Sequence, residues 1–385
     1  MSESKKKIII VGPSYPYRGG NSLFVTYLYN SLKDNFDVKI YNYKLLYPSI
    51  LFPGKTQFDE SKLVVFKAPN ERIVNSINPF NWISSASKIN KEKADLVIFD
   101  WWHPFFSFCH FTISLLIKKK YKNKILFITE NVVSHESHFI DRILTKIGLS
   151  NSSMFLALSG IVEKELENFA KGKPVFRSEL PIYECYSVTK NFDQDKFKKE
   201  LGINSGNNVL LFFGYVRKYK GLDLLIKAMP EITRKKPNTT LLIVGEFYDD
   251  PKPYLDLINS LSLVDKIKVV NKFVPNEEVE KYYRISDLVV LPYRSATQSG
   301  ILNVAYGFSK PVLVTNVGGL AEFVEDGVTG YVIKPDNPEN ISNGVFKFLE
   351  EKDSINFEEN ISNYRKLNSF GKIKQIFEQI LNTTK

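Results

Sequence analysis

The sequence predicts an α/β fold made of two doubly wound domains, each built on a parallel sheet. Two observations predict it. The 385 residues exceed the size at which a single core usually stops growing, and short apolar runs alternate with helical spacing twice along the chain. These runs are rich in Ile, Val, Leu and Phe, as is typical of parallel strands that helices cover on both faces. Two such domains facing one another would form a cleft at the carboxyl ends of their strands.

The first half of the chain, which we assign to an N-terminal domain of residues 1–185, carries the first series. A strand at the N-terminus precedes a helix over residues 21–33, with Asn21 as its N-cap, and further buried strands follow with helical spacers between them. In order, the strands are KKIIIVG, DVKIYNY, ADLVIFD, KILFITE and MFLALS. The segment IYECYSVTKNFDQD breaks this alternation and marks the end of the domain.

The second half repeats the pattern in a C-terminal domain of residues 186–365. Helical spacing over residues 221–235 and 276–285 separates short apolar runs that we interpret as parallel strands. These strands are NVLLFFG, TTLLIVG, KIKVVN, LVVLPY, PVLVTN and GYVIKP. From about residue 355 the spacing is helical again, and residues 366–385 are assigned to a C-terminal helix. Its apolar stripe consists of Phe370, Ile373, Ile376 and Ile380.

The basic charge of the chain is concentrated in its first half. Residues 1–185 hold 25 Lys and Arg against 17 Asp and Glu, whereas the remainder holds 27 against 25. Part of the excess lies in KKKYKNK, residues 118–124, directly after an apolar run. This segment is either the solvated end of a buried helix or a face that meets anionic lipid headgroups or an anionic lipid-linked substrate. No nucleic-acid-binding module accompanies it, so we expect no nucleic-acid partner.

Composition excludes several classes of protein. No stretch of 18 or more apolar residues predicts a membrane-spanning helix, and the apolar run after the charged N-terminus is too short for a secretion signal. The two cysteines, Cys109 and Cys185, are too far apart in the sequence to indicate a disulfide framework or a zinc motif. We expect a cytoplasmic protein, either free or peripheral at the inner face of the cell membrane.

Two glycine-containing loops at strand ends are the main candidate ligand sites. In GPSYPYRGGNS, Gly19 and Gly20 precede a helix and allow backbone N–H groups to approach an anion, although the same glycines would also serve simply to shape a turn. In GYVRKYKGLD, Gly214 precedes Arg217 and Lys220 at the start of a helix. Glycines on both sides of the two cations disfavour a merely solvated turn. Fixed positive charge there suits a diphosphate, most of all one that is leaving.

These loops belong to a longer pattern that resembles a known family. The segments FFGYVRKYKGLDLLIKAM, LLIVGE, VPNEEVEKYYRISDLVVLPY and SKPVLVTNVGGLAEFVEDGVTGYVI resemble the family 4 retaining glycosyltransferases of the GT-B fold. The resemblance covers nearly the whole chain and is strongest over residues 208–335. It implies transfer of a hexose from a nucleotide-diphosphate sugar to a glycan or lipid-linked acceptor. It also implies no cofactor, no metal, and a C-terminal helix that packs back on the acceptor-side N-terminal domain.

The resemblance also implies roles for individual residues. Arg217 and Lys220 would hold the donor diphosphate, Glu246 would lie near the base or ribose, and residues 272–274 would present backbone to the base. The donor-binding set that it implies is Gly19, Gly20, Gly214, Glu246, Phe273, Val274, Gln298, Ser299, Gly300, Ile301 and Asn303.

One loop departs from the family pattern. Family members often carry two glutamates eight residues apart before the Gly-Lys-Pro-Val segment, and here those positions hold Ala296 and Val304. Residues 298–301 still offer a hydroxyl and N–H groups at a helix N-terminus, and Asn303 is a neutral candidate for the ribose. We interpret the loop as a subfamily trait. The missing acids leave a catalytically silent nucleotide-sugar-binding protein as the alternative.

In the first half, FITENVVSHESHFID resembles the family segment that reaches the sugar. Glu130 stands where a histidine is often found, whereas Asn131 and His135 match the family pattern. His135 is therefore the candidate catalytic residue of this domain, in contact with the transferred sugar or the acceptor hydroxyl, and Asn131 is a candidate for acceptor binding.

Aromatic residues and histidines near strand ends allow two further interpretations. Trp101, Trp102 and His103, in DWWHPFF, form either a platform that stacks on acceptor sugars or part of the core. All four histidines lie within residues 103–138, but their spacing matches no zinc ligand set, and we expect no metal. A nicotinamide-dependent oxidoreductase is disfavoured because neither glycine loop has the spacing G-x-G-x-x-G.

Overall fold

The computed structural model describes residues 5–52, 54–62, 67–132, 139–178, 180, 182, 191–368 and 371–383. The chain separates into two compact units. The N-terminal unit comprises residues 1–59, 64–181 and 369–385, and the C-terminal unit comprises residues 60–63 and 182–368. From the sequence we placed the main boundary after residue 185 and the start of the last element at residue 366.

The N-terminal unit is built on a seven-stranded parallel sheet. Its strands are β1 (Lys7–Val11), β2 (Asp37–Leu45), β3 (Asn70–Asn75), β4 (Leu96–Trp101), β5 (Ile125–Thr129), β6 (Met154–Ala157) and β7 (Val175–Arg177). Their order in the sheet is β3-β2-β1-β4-β5-β6-β7. The direction of winding reverses between β1 and β4, and ligands of such sheets bind outside the carboxyl ends of the strands at this reversal. The short strands β3 and β7 are absent from the sequence prediction.

Helices cover both faces of this sheet. They are α1 (Gly20–Leu32), α2 (Pro79–Lys91), α3 (Ser107–Lys118), α4 (Phe139–Leu149) and α5 (Gly160–Ala170). Residues of α2, α3 and α5 share one hydrophobic cluster with alternate residues of the strands, and α1 contributes to the cluster on the other face. The expectation that Asn21 caps α1 is wrong, because Gly19 is the N-cap and Asn21 is already the second helical residue.

The C-terminal unit has a six-stranded parallel sheet. Its strands are β8 (Asn208–Phe213), β9 (Thr239–Val244), β10 (Ile267–Val270), β11 (Leu288–Leu291), β12 (Val312–Thr315) and β13 (Gly330–Ile333). The strand order is β10-β9-β8-β11-β12-β13. Its helices are α6 (Gln194–Glu200), α7 (Leu222–Lys235), α8 (Lys252–Ser260), α9 (Asn276–Arg284), α10 (Gly300–Gly307), α11 (Pro338–Glu351) and α12 (Phe357–Leu367). Two Rossmann-like parallel sheets confirm the predicted fold class.

The end of the chain contains two helices where the sequence suggested one. Helix α12 buries Ile361 in the core of the C-terminal unit, whereas α13 (Gly371–Thr383) belongs to the N-terminal unit. Ile373, Phe377 and Ile380 of α13 are fully buried and share a hydrophobic cluster with Phe24 of α1. The last helix is therefore part of the N-terminal core.

Replacing Phe377 with alanine tests the contribution of α13 to that core. The ring is fully buried, so we expect Phe377→Ala to lower the free energy of unfolding by about 3–5 kcal/mol, through lost transfer free energy and the cavity left behind. Urea unfolding followed by circular dichroism measures the change. Gln379→Ala, at an exposed position of the same helix, is the matched control and should change stability by less than about 0.5 kcal/mol. Equal effects of the two substitutions would contradict the packing of α13.

Candidate functional site

Two glycines shape the loop that follows β8. Gly214 and Gly221 have φ angles of +100° and +67°, in the region that favours glycine. A Cβ on Gly221 would lie 2.0 Å from the carbonyl oxygen of Pro292, so no other residue fits without moving the backbone. Between the glycines, the chain makes a single 3-10 turn over Lys218–Lys220 and then enters α7. The glycines therefore fix the position of Lys220 at the start of α7.

The side chain of Lys220 is buried, with 7% of its surface exposed. Its Nζ lies 3.4 Å from the position that a Cβ on Gly214 would take, and 5.7 Å from the centre of the Tyr293 ring. Burial, together with the positive charge of Arg217, lowers the pKa of Lys220 to about 8. Burial of an ammonium group is unfavourable unless an anion accompanies it. A lysine of this kind at a strand end is a candidate for binding an anionic ligand.

Arg217, which precedes the same turn, lies beside two tyrosines. The Arg217 guanidinium is 5.9 Å from the centre of the Tyr248 ring, and Tyr248 in turn lies against Tyr215 with ring centres 4.4 Å apart. Tyr215 and Tyr248 follow β8 and β9, two neighbouring strands. The carboxyl edge of the sheet thus combines two cations with aromatic faces, and both groups suit a nucleotide.

A second loop meets the first at Gly214. A Cβ on Gly214 would lie 3.0 Å from Cδ1 of Ile301, at the start of α10. Ser299 is the N-cap of α10 and its hydroxyl oxygen accepts a hydrogen bond of 3.4 Å from the Leu302 N–H. The buried side-chain oxygen of Gln298 has no hydrogen-bond partner within the described part of the chain. The structure therefore places the predicted residues 298–301 beside the Lys220 loop.

Arg294, which the sequence analysis missed, forms hydrogen bonds that stabilise the turn with the two cations. Its guanidinium donates two hydrogen bonds of 2.8 Å to the Asp223 carboxylate and one of 3.0 Å to the carbonyl oxygen of Lys218. Its backbone N–H donates to the carbonyl oxygen of Tyr219 at 2.7 Å. The ion pair with Arg294 lowers the pKa of Asp223 against the opposing effect of burial. A basic residue three positions after the end of β11 is the only signal that the sequence offers for it.

The other residues of this unit that were predicted to bind the sugar donor lie after β9, after β10 and on α10. Glu246 follows β9, is 5% exposed, and its carbonyl oxygen accepts a hydrogen bond of 3.0 Å from the Val216 N–H, which brings it to the Arg217 loop. Val274 lies in the hydrophobic core and Asn303 is buried on α10, while Phe273 is half-buried. A ligand in this loop region would therefore meet the backbone of residue 274 and not its side chain.

In the N-terminal unit, a pair of acidic side chains lies at the reversal of strand winding. Asp100 is the next-to-last residue of β4 and Glu130 directly follows β5. Gly12, after β1, makes room for the first of them, since a Cβ there would lie 3.1 Å from the Cβ of Asp100. In the sequence, Asp100 stands out only as the first residue of the strand-end segment DWWHPFF, and no pattern there pairs it with Glu130.

The acidic pair is short of partners. Asp100 is 1% exposed, and neither of its carboxyl oxygens has a hydrogen-bond partner among the described residues. Burial, and then the charge of Glu130, raise the pKa of Asp100 well above its usual range. Burial raises the pKa of Glu130 to about 8, against the opposing effect of the nearby Asn21 side chain. When both carboxyl groups are protonated, or only one of the two is ionised, the pair can form hydrogen bonds with hydroxyl groups of a ligand.

Other predicted residues of the N-terminal unit are placed as follows. No heavy atom lies within 4 Å of a Cβ built on Gly19 or Gly20, so backbone groups there are open to a ligand. The indole N–H of Trp102 donates to the Tyr47 hydroxyl at 3.0 Å, and Nδ1 of the exposed His103 accepts from the Phe105 N–H. Asn131 is half-buried. His135 lies outside the described residues.

The proposed role of Trp101 in an acceptor platform requires a correction. Its side chain is fully buried and packs beside Phe127 and His110 in the hydrophobic core. The alternation of a strand explains this, because Asp100 and Trp101 are successive residues of β4 and point to opposite faces. His110 is also buried, lies 2.8 Å from the Tyr43 hydroxyl, and has its pKa lowered to about 3 by burial. It is a neutral core residue.

Comparison with known proteins gives a consistent result for the second half of the chain. Residues 193–367 match the family model described as glycosyl transferases group 1. An uncharacterized glycosyltransferase of Methanocaldococcus jannaschii is 32% identical over 156 residues, which are 40% of this chain and 39% of the relative. A second uncharacterized glycosyltransferase of that organism is 24% identical over 355 residues, which are 90% of this chain and 89% of the relative.

Solved structures share the fold of the whole chain. The crystal structure of HepE from Anabaena in complex with UDP-glucose matches with a TM-score of 0.74 at 17% identity, over 98% of this chain and 99% of that chain. Sucrose-phosphate synthase from Thermosynechococcus elongatus matches with a TM-score of 0.71 at 16% identity, over 98% and 100%. These matches confirm the GT-B fold class expected from the sequence.

The acidic pair, in which Asp100 is buried and Glu130 half-buried, predicts how stability depends on pH. The pKa of Glu130 in the folded protein, about 8, exceeds the value of about 4.3 expected in the unfolded chain. Between these pH values the folded state keeps a proton that the unfolded state has lost, so stability falls as the pH rises. We expect the melting temperature of Glu130→Gln to fall less than that of the wild type between about pH 5 and pH 8.

Glu167→Gln, at an exposed position of α5, is the matched control and should follow the wild-type curve. Differential scanning calorimetry in buffers with small ionisation enthalpies provides the measurement. A Glu130→Gln curve parallel to that of the wild type would show that this carboxyl group is ionised normally in the folded protein.

Proposed function

We propose that this chain, whose residues 193–367 match the glycosyl transferases group 1 model, is a retaining hexosyltransferase. It uses a nucleotide-diphosphate sugar as donor and a glycan or lipid-linked molecule as acceptor. The observation that carries the proposal is the buried ammonium of Lys220 beside Arg217, at the carboxyl edge of a Rossmann-like sheet. Two fixed cations at this edge suit a diphosphate better than any neutral ligand.

The reaction that we assign to this site breaks the bond between the sugar and the diphosphate. Arg217, Lys220 and the backbone N–H groups near Ser299 and Gly300 stabilise the negative charge that develops on the leaving diphosphate. The acceptor hydroxyl attacks the anomeric carbon from the same face and loses its proton to an oxygen of the donor phosphate. Fixed cations and a helix N-terminus provide the charge stabilisation, so the proposal includes no metal and no cofactor.

The rest of the donor site follows from the residues that surround the two cations. Gly214 would let the diphosphate approach the backbone next to Ile301, and Gln298, with a buried side-chain oxygen that has no partner among the described residues, is assigned to the same ligand. Glu246 and Asn303 are assigned to the ribose or base, and the backbone of residues 273–274 to the base. HepE, which shares the fold, was crystallised with UDP-glucose, and we therefore choose UDP as the first probe of the site.

Acceptor binding is assigned to the N-terminal unit. The acidic pair Asp100 and Glu130 offers hydrogen-bonding groups for hydroxyls at one edge of that sheet, while Gly19 and Gly20, whose backbone is open, keep their assignment to the donor. Trp102, His103 and Asn131 remain candidates for the acceptor, and His135 for the catalytic contact. We place the reaction in the cytoplasm, at the inner face of the cell membrane if the acceptor is lipid-linked.

The alternative is a nucleotide-sugar-binding protein without activity, which the family pattern suggests because Ala296 and Val304 replace two acids. Release of nucleoside diphosphate from the donor in the presence of acceptor separates the two. A thermal-shift screen of UDP, GDP and ADP identifies the base first, because a ligand at 100 times its dissociation constant stabilises by about 2.7 kcal/mol. Binding of a nucleoside diphosphate without turnover on any lipid or glycan fraction would favour the alternative.

Substitution of the two cations tests their catalytic role. We expect Arg217→Ala and Lys220→Ala each to lower kcat by about 100-fold or more, because each removes charge that stabilises the leaving diphosphate. Lys218→Ala is the matched control, since Lys218 belongs to the same turn and is exposed, and it should stay within about twofold of the wild type. Steady-state assays of diphosphate release give the values. Wild-type turnover in either cation variant would remove the phosphate role.

Substitution of Arg294 tests whether it positions the cations. We expect Arg294→Ala to raise the KM for the donor and to lower kcat/KM by about tenfold, because the turn loses its hydrogen bonds to Lys218 and its link to Asp223. Asp223→Asn should act in the same direction, and the double variant should cost little more than the larger single change. Arg234→Ala, which removes an exposed arginine paired with Glu231, is the control. If the decreases in kcat/KM of the two single variants simply add in the double variant, Arg294 and Asp223 do not stabilise the turn through their mutual ion pair.

A further inference from the structure

Large apolar side chains are exposed mainly on one of the two units. Among the described residues, the C-terminal unit exposes Leu255, Val264, Val328 and Leu367, which are scattered along the chain. The N-terminal unit exposes three times as many. Single exposed apolar residues are ordinary, but a contiguous group on a globular protein marks a surface that meets something else.

Most of these residues lie at the carboxyl edge of the N-terminal sheet. Parallel strands end at the same edge, so the segments that follow β2, β3, β4 and β5 are gathered there. We call the exposed apolar residues of these segments the apolar rim. They are Ile50, Leu51, Ile77, Phe80, Ile83, Phe108, Phe139, Ile140 and Ile143. Ile50 is 90% exposed, Phe80 84% and Phe139 78%, so the rim is uncovered in this structure.

Helix α4 contributes the most prominent part of the rim. Gly148, near its C-terminal end, lies against Ser107, the first residue of α3, because a Cβ there would be 3.1 Å from the Ser107 Cα. The end of α4 is thus level with the start of α3, and its first turns extend beyond that point. Phe139 and Ile140 lie in those turns and are exposed.

Basic side chains accompany the apolar ones. Arg142 and Lys146 are exposed on α4, the helix that also carries the exposed Phe139, Ile140 and Ile143. Residues 1–185 hold 25 Lys and Arg against 17 Asp and Glu. Apolar side chains mixed with lysine and arginine are the composition by which surface helices insert into anionic bilayers. A protein partner would need a complementary acidic and apolar surface, whereas an anionic bilayer supplies both properties everywhere.

We propose that the apolar rim docks this protein on the surface of an anionic lipid bilayer. None of the described helices is long and apolar enough to cross a membrane, so the proposal is a peripheral contact in which rim side chains enter the headgroup region. Asp100 and Glu130 lie at the same edge of the sheet as the rim. On the proposed function, docking would therefore bring a lipid-linked acceptor to the acceptor side of the enzyme. The docking itself does not depend on that function.

Flotation of the purified full chain with lipid vesicles tests the docking. Vesicles of equal parts phosphatidylglycerol and phosphatidylcholine should carry the wild-type protein at about 0.1 M salt, and vesicles of phosphatidylcholine alone should carry much less of it. The rim variant Phe80→Ser/Phe139→Ser/Ile140→Ser should lower the partition coefficient on anionic vesicles by about tenfold or more. The charge variant Arg142→Glu/Lys146→Glu should lower it as well.

The matched control is Leu255→Ser/Val264→Ser/Leu367→Ser, which removes exposed apolar residues of the C-terminal unit and should float like the wild type. All variants change exposed side chains, and unchanged melting temperatures would show that they fold. The proposal is overturned if the wild type does not float with anionic vesicles, or if the rim variant floats equally well. It is also overturned if the wild type is a dimer in the absence of lipid and the rim variant is a monomer, because a second copy then covers the rim.

Release of diphosphate with a water-soluble acceptor should be the same for the rim variant and the wild type. Failure of the docking proposal therefore leaves the proposed function standing, and an inactive protein that still floats would contradict only the proposed function.

Discussion

The burial of the Lys220 ammonium next to Arg217 is the constraint on which the candidate donor site depends. Like charges repel, and burial removes the water that would stabilise them, so the fold must hold this arrangement by other means. Gly221 sets the turn through a backbone conformation that leaves no room for a side chain, and Arg294 ties the turn to Asp223. An anion with two or more charges would make the arrangement favourable, which is why we propose a diphosphate as its ligand.

The two units carry opposite chemistry at equivalent places. Each is a parallel sheet whose winding reverses in the middle, and in each the reactive side chains lie at the carboxyl ends of central strands, β8 in one unit and β4 and β5 in the other. In the C-terminal unit these side chains are cations that suit phosphate, whereas in the N-terminal unit they are the carboxyl groups of Asp100 and Glu130, which suit hydroxyls. A glycine makes room in both cases, Gly214 beside Lys220 and Gly12 beside Asp100. On the proposed function, the cations would serve the nucleotide-sugar donor and the carboxyl groups the hydroxyls of the acceptor.

The parts of this account that the sequence predicts are those with a repeated or local pattern. Alternating apolar runs predict both sheets, and the glycines around Arg217 and Lys220 indicate their loop, because these signals lie within a few residues. The burial of Trp101 depends on which face of its strand is covered by helices. The pairing of Asp100 with Glu130 joins residues 30 positions apart, at the ends of neighbouring strands. The sequence analysis misses Arg294 for the same reason, because its contact with Asp223 forms only in the folded chain. Strand β7 has only three residues, and β3, with the sequence NERIVN, is polar at four of its six positions, so neither forms an apolar run.

Proton uptake on nucleotide binding tests the central claim most directly. The pKa of Lys220, about 8 without ligand, should rise when a diphosphate binds, while UDP is already fully ionised at pH 8.5. Isothermal titration calorimetry of UDP at pH 8.5, in buffers of different ionisation enthalpy, should therefore show uptake of roughly half a proton or more per site. Lys220→Met should bind more weakly and take up none. Binding of UDP to the wild-type protein with no proton uptake would contradict the account, because the diphosphate would then not lie at the buried ammonium.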